Sequence, residues 1–191
     1  IKVLYLYEKS IMIKAVISGD IVASTSLTGE GRELIEDSLQ DLMEELGVKF
    51  NTFSRIIKGD YLECVVPDPE NALLVAIAIK SFVKSIPVEN TSLYKINKRV
   101  KLFKTYGIRL AIGYGTLSRF DTEKGIIDGE AIYLSGRKIN KFSTYKKERI
   151  VIKNTMYFVS NDLYLNETFE PIIGLLDVLI NKATSKQCKV L

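Results

Sequence analysis

At 191 residues the chain is long enough for one domain with a full apolar core, and its 47% hydrophobic and 26% charged residues exclude disorder as the main state. A net charge of +4 names no partner, and two cysteines far apart in the chain, Cys64 and Cys188, give neither a disulfide framework nor a zinc motif. Histidine is absent, which removes Ser-His-Asp and Cys-His catalysis and leaves carboxylates, Lys, Tyr and metal ions for any chemistry.

No apolar run is long enough to span a bilayer, and Val3 to Tyr7 is too short for the core of a signal peptide, so the expected location is the cytoplasm, with no membrane partner. Ile13 to Ser18 reads as a buried strand ended by Gly19-Asp20. Leu34, Ile35, Leu39, Leu42, Met43 and Leu46 then recur at helical spacing, and Gly47 is the expected stop. Residues 30–47 carry seven acids against Arg32 alone, which places the acids on the solvent face. Phe53–Ile57 and Tyr61–Val66 are two apolar runs around Lys58-Gly59-Asp60, a hairpin signal. Asp68-Pro69-Glu70 combines a capping acid with Pro at a first helical position, and the apolar residues 72–83 after it predict a mostly buried helix.

Residues 87–105 read as a basic, irregular segment. Residues 80–109 carry eight basic side chains against Glu89 alone, and residues 137–153 carry seven against Glu148. Such a face suits phosphates or nucleic acid. Only Tyr94, Phe103 and Tyr106 flank the lysines of residues 95–104, however, so nucleic acid is a disfavoured partner. Ile108 to Tyr114 is a further strand closed by Gly115. A polar loop, a helix over 129–142, a short strand over 149–152 and an amphipathic helix over 171–181 complete the chain. Ile172, Ile173, Leu175, Leu176, Leu179 and Ile180 give that last helix a face expected to be buried on the domain or on a second subunit. The order predicts an α/β (α+β) fold: a ferredoxin-like βαββαβ palm over residues 1–155 with a helical extension over 156–191.

Asp20 at the end of the first strand and Asp60 at the hairpin tip converge if those strands are neighbours. Two carboxylates on strand ends suit Mg²⁺ or Mn²⁺, because Mg²⁺ takes oxygen ligands and needs only one or two carboxylates besides phosphate. Ala23, Ser24 and Thr25 are small enough to bring backbone N–H groups to a phosphate chain. Each Gly-Asp pair also reads as a plain turn signal.

These segments resemble the catalytic domain of class III adenylate and guanylate cyclases, in an uncharacterised bacterial branch. Asp20-Ile21-Val22-Ala23-Ser24-Thr25 is similar to that family's first metal motif, and Gly59-Asp60 to its second. Ile108 to Gly115 resembles the family's "v-R-i-g-I-h-x-G" strand, and Asp128 to Arg137 its "G-x-x-V-N-x-A-x-R" helix. The resemblance implies metal ligation by Asp20 and Asp60, phosphate contacts along Ile21, Val22, Ala23, Ser24 and Thr25, and a transition-state role for Arg137. It also implies a nucleoside triphosphate as substrate, cyclisation with release of pyrophosphate, and a homodimer in which each subunit supplies part of the site. The departures are Tyr133 at the family's helix Asn, Ile56 at the purine-reading Lys and Ile126 at the base-selecting acid. They favour the alternative of a catalytically silent nucleotide sensor acting through the C-terminal helix.

Overall fold

The computed structural model describes residues 12–57, 59–88, 98–141, 152 and 154–190. Lys58, residues 89–97 of the basic segment, Phe142 and residues 149–151 of the expected short strand lie outside them. The fold is mixed α+β. Strand β1 (Met12–Ile21) lies at the centre of the sheet, antiparallel to β3 (Tyr61–Val66) on one side and to β4 (Ile108–Asp121) on the other. Strand β2 (Phe53–Ile57) extends the sheet beyond β3. Strand β5 (Ile126–Gly129) pairs with the far half of β4, and β6 (Met156–Val159) runs parallel to its near half. The resulting order is β2-β3-β1-β4-β5, with β6 also on β4.

The alternation of β1 explains why it is apolar almost throughout. Ala15, Ile17 and Ile21 face the main core, while Val16 and Ser18 face the other side, where a helix also packs. Helix α1 (Gly29–Phe50), helix α2 (Ala72–Ser85) and the later helix α5 (Leu163–Lys182) cover the main-core face. Helix α1 starts at Thr28, whose Oγ1 accepts from Gly31 N at 3.0 Å. Gly47 does not end it. A glycine inside a helix costs only about 1 kcal/mol relative to Ala, and the residue that terminates α1 is Asn51, left-handed at φ 53°.

Part of the segment read as irregular is helix α3 (Lys98–Tyr106), anchored by the buried ring of Phe103. Helix α4 (Glu130–Lys141) covers the opposite face of the sheet. Gly113 permits its close approach, since a Cβ there would overlap the Ala131 carbonyl and lie 2.9 Å from Ser135 N. Ser18 Oγ and Ser135 Oγ are hydrogen-bonded at 2.8 Å across this contact.

Helix α5 begins at Leu163 rather than at Pro171. Asp162 caps it, accepting from Tyr164 N and Leu165 N, and Pro171 is accommodated inside. The domain buries only part of the apolar face expected here: Ile173 and Ile180 are covered, whereas Leu175 is 63% and Leu179 57% exposed. Between the two covered residues stands Asp177, fully buried, in a polar seam that fastens α5 to α2 and β4. Asp177 accepts from Thr155 N (2.6 Å), Thr155 Oγ1 (2.5 Å) and Asn181 Nδ2 (2.9 Å), with Lys80 Nζ at 3.7 Å. Lys80 donates to the carbonyls of Tyr106 and Ile108 and to Thr155 Oγ1, each at 2.6 Å. Lys84 donates to the carbonyls of Thr105, Ile180 and Asn181. The short helix α6 (Ser185–Cys188) follows, started by a capping box between Thr184 and Gln187. Among the described residues no helix is long and apolar enough to cross a membrane.

Candidate functional site

β1 runs on past Ser18. Gly19, Asp20 and Ile21 stay paired with β4, and Asp20 stands opposite Tyr61 on one side and Arg109 on the other. Asp60 lies in the β2–β3 turn behind Gly59, whose φ of 72° is a left-handed conformation that glycine adopts without strain. Two bonds tie that turn to the end of β1. Ile21 N donates to Asp60 O at 2.9 Å, and Ser24 Oγ donates to Asp60 Oδ2 at 2.8 Å. The sheet neighbour of β1 is β3, the second strand of the hairpin, and not β2; the hairpin tip nevertheless meets the end of β1, with Asp60 attached to the segment that leaves it.

Asp20 has its own partner. The Arg109 guanidinium donates to Asp20 Oδ2 in an ion pair whose Arg109 side chain is 4% and Asp20 side chain 20% exposed. Burial raises the Asp20 carboxyl above the ordinary carboxylate value; Arg109 pulls it down, and the charge of Asp60 pushes it further up. The effect of Asp60 on Asp20 means that the two carboxylates feel each other, so a cation between them relieves repulsion.

The segment after β1 is a tight turn. Ala23 is left-handed at φ 57°, a 3₁₀ turn spans Ser24–Ser26, and the carbonyls of Ala23 and Ser24 accept from Ser26 N and Leu27 N. The Ile21 and Val22 side chains are buried, and Val22 N donates to Gly107 O at 2.9 Å. With the Ile21 and Val22 N–H groups engaged, an anion-binding role narrows to Ala23, Ser24 and Thr25. A cavity of about 330 Å³ opens beside them, lined by Ser24, Thr25, Gly29, Arg32, Glu36 and Asp60 among others. It sits at the N-terminal turn of α1, whose dipole favours an anion, while Glu33, Glu36 and Asp60 in its lining outnumber Arg32 and repel an anion that brings no cation with it.

Arg137 is exposed on α4, 5.9 Å above the ring of Tyr133, and among the described residues no hydrogen bond or ion pair joins it to Asp20 or Asp60. Tyr133 itself donates to Asp128 Oδ1, an acceptor that raises the phenol above its usual value. Ile56 packs on the main core and Ile126 is half-buried in β5. Among the described residues no three His, Cys, Asp or Glu side chains gather as a metal cluster. Two carboxylates without a third suit a hard cation that shares its shell with phosphate oxygens, and do not suit a closed zinc site.

Sequence reading gave no role to Arg109 or to Arg32. Arg109 had a signal, since a basic residue inside Ile108 to Tyr114 must be paired or solvated when that strand is buried. Arg32 had a weaker one, as the single base among the acids of residues 30–47.

No protein-family model matches the chain, and no curated protein matches it. Among solved structures it is similar to a bacterial light-regulated adenylyl cyclase at TM-score 0.51 and 10% identity, covering 78% of this chain and 76% of that one. A further structure of a bacterial light-regulated adenylyl cyclase matches at TM-score 0.51 and 12% identity, covering 80% of this chain and 44% of that one. At such identities the likeness is one of fold: this chain has the mixed α+β fold of bacterial cyclase structures.

Proposed function

We propose that the chain binds a nucleoside triphosphate with Mg²⁺ or Mn²⁺ at Asp20 and Asp60, and that it is a class III-type nucleotidyl cyclase working as a homodimer. The run β2-β3-β1-β4 is read as its ferredoxin-like palm, carrying α5 as an extension. The observation that carries this reading is the attachment of Asp60 to the end of β1, through Ile21 N and Ser24 Oγ, beside the cavity at the start of α1. The fold shared with adenylyl cyclase structures supports it.

In this reading Asp20 and Asp60 hold the divalent cation, which supplies charge neutralisation to the triphosphate when bound. The N–H groups of Ala23, Ser24 and Thr25 and the first turn of α1 bind phosphate oxygens, with Arg32 at the cavity wall. Arg109 holds Asp20 in position and opposes the upward pull of burial on its carboxyl. The ribose 3′-hydroxyl attacks the α-phosphorus and gives up its proton to water; the new P–O bond closes the ring as the bond from the α-phosphorus to the bridging oxygen breaks, and pyrophosphate leaves. Exposed on α4, the Arg137 guanidinium is free to reach across a dimer and steady the charge growing on the phosphoryl oxygens of the other subunit's site.

One observation favours the silent sensor instead: Arg137 stacks on Tyr133, and Tyr133 is held by Asp128, where the family's helix carries Asn. Incubation with each of the four ribonucleoside triphosphates and Mg²⁺ or Mn²⁺, followed by product separation, decides between the two. The cyclase reading expects a cyclic nucleotide and pyrophosphate. It also expects Arg137→Ala to cut turnover by about 100-fold or more while affinity moves by less than about tenfold. Metal-dependent binding without product establishes the sensor, and no metal-dependent binding at all overturns both.

A further inference from the structure

A second cavity, of about 610 Å³, lies at the other end of the sheet from Asp60, between α5 and the strands. Its volume falls in the range of about 300–1,000 Å³ typical of small-molecule sites. β4 contributes Ile112 and Tyr114, β6 contributes Phe158, α5 contributes Leu165 and Phe169, and α2 contributes Leu73. Three of these form an aromatic wall, with ring centroids 6.4 Å apart for Tyr114 and Phe158 and 5.1 Å apart for Phe158 and Phe169. Among the described residues the charged lining is two acids, Asp68 and Glu70, both exposed and neither in an ion pair. The Asp68 carboxylate is fixed at the mouth by accepting from Glu70 N at 3.2 Å and Asn71 Nδ2 at 2.9 Å.

We propose that this cavity binds a small amphipathic cation, with an aromatic or alkyl body seated among Leu73, Tyr114, Phe158 and Phe169 and an ammonium group directed at Asp68 and Glu70. The apolar walls gain from covering a hydrophobic body. The aromatic faces and the two carboxylates favour a positive charge, and the same carboxylates repel an anion. Among the described residues this mouth carries acids alone, in a chain whose net charge is +4. Because α5 supplies one wall and the sheet another, an occupant binds both and fastens the C-terminal helix to the sheet.

Calorimetric titration of the full chain with 4-phenylbutylammonium and with its neutral counterpart 4-phenyl-1-butanol tests the assignment. The ammonium is expected to bind at least about tenfold more tightly, equivalent to about 1.4 kcal/mol. Glu70→Gln, alone and with Asp68→Asn added, is expected to narrow that gap stepwise to about threefold or less. Phe169→Ala, at a partly exposed ring, is expected to weaken both ligands by about tenfold. ATP with Mn²⁺ is expected not to displace the ammonium, so failure here is distinguishable from failure of the triphosphate site. Equal affinity for the two probes, no binding of the ammonium, or dissociation of a dimer by Phe169→Ala in sedimentation each overturns the proposal, the last because a second copy then covers the cavity.

Discussion

Asp20 and Asp177 are both carboxylates set against a basic side chain, and their surroundings differ in what they leave unsatisfied. Asp177 is 1% exposed and receives Thr155 N, Thr155 Oγ1 and Asn181 Nδ2 in addition to the nearby Lys80 ammonium. Nearly all of its acceptor capacity is used, as burial in a low-dielectric interior requires. Asp20 is partly exposed, receives Arg109 on one oxygen, and has a second carboxylate for a neighbour. Among the described residues Asp20 has acceptor capacity left, which suits the cation proposed for it, whereas the saturated Asp177 is fitted to hold α5 in place. Charge alone does not separate the two; burial and, among the described residues, the number of donors do.

The largest expected effect breaks the saturated side of this comparison. Asp177→Ala leaves the Lys80 ammonium buried without its counter-charge, and loss of one partner of a buried pair costs about 3–5 kcal/mol. For a chain of this size that lowers the melting temperature by roughly 10 °C, at about 2–4 °C per kcal/mol. Thermal denaturation followed by circular dichroism measures it. A loss below about 1 kcal/mol would show that the seam does not secure α5.

The next effect is smaller and moves in the other currency. Asp60→Asn keeps the shape of the side chain and its contact with Ser24, so stability is expected to change by less than about 0.5 kcal/mol. Affinity for a triphosphate with Mn²⁺ is expected to fall about tenfold or more, or about 1.4 kcal/mol, as measured by calorimetry. Asp20→Asn lies between the two cases: it weakens the same affinity and also destabilises, because the Asp20 charge that faces the buried Arg109 is removed. Equal affinities for wild type and both variants would remove the metal role of this pair.

The two regions were not equally legible in the sequence. The hairpin Phe53–Ile57 and Tyr61–Val66 was readable to the residue because Gly59 marks a conformation its neighbours avoid. The end of β1 was not, because Gly19-Asp20 is a turn signal only when no strand lies on either side, and here β3 and β4 hold both residues in the ladder. Strand β5 was hidden in a polar loop, since pairing with β4 and not hydrophobicity defines it. Pro171 misplaced the start of α5: proline reads as a first-turn residue, but Asp162 supplies the cap upstream. The seam was overlooked for a related reason. Lys80 sits in the apolar run 72–83, and a lone lysine there reads as surface when its partners, Thr155 and Asp177, are distant in sequence.

The smallest expected effect sharpens the comparison from the Lys80 side. Burial lowers the Lys80 ammonium from its usual value to about 7, against the pull of Asp177 and with the help of Lys84. Above that value the folded protein has released a proton that the unfolded chain, with an ordinary lysine, still carries. The unfolded state then binds more protons, so stability rises with pH, beginning near pH 7 and continuing towards the ordinary lysine value of about 10.4. Between pH 7 and pH 8 the gain is about 1 kcal/mol, below the limiting 1.36 per unit because the group is half titrated at its own pKa. The groups nearest to Lys80 leave this window clear: Thr155 and Asn181 do not titrate there, and Lys84, lowered by burial, acts in the same direction. Cys64, raised by burial to about 11, and Tyr157, raised to about 12, would oppose the trend only at higher pH. Urea unfolding at pH 7 and pH 8 measures the slope, and the double variant Lys80→Met/Asp177→Asn, which removes both charges, is expected to flatten most of it. A wild-type slope that is zero or negative over that unit would mean that the Lys80 ammonium stays charged in the folded protein, held by its carbonyl acceptors and Asp177 against the cost of burial.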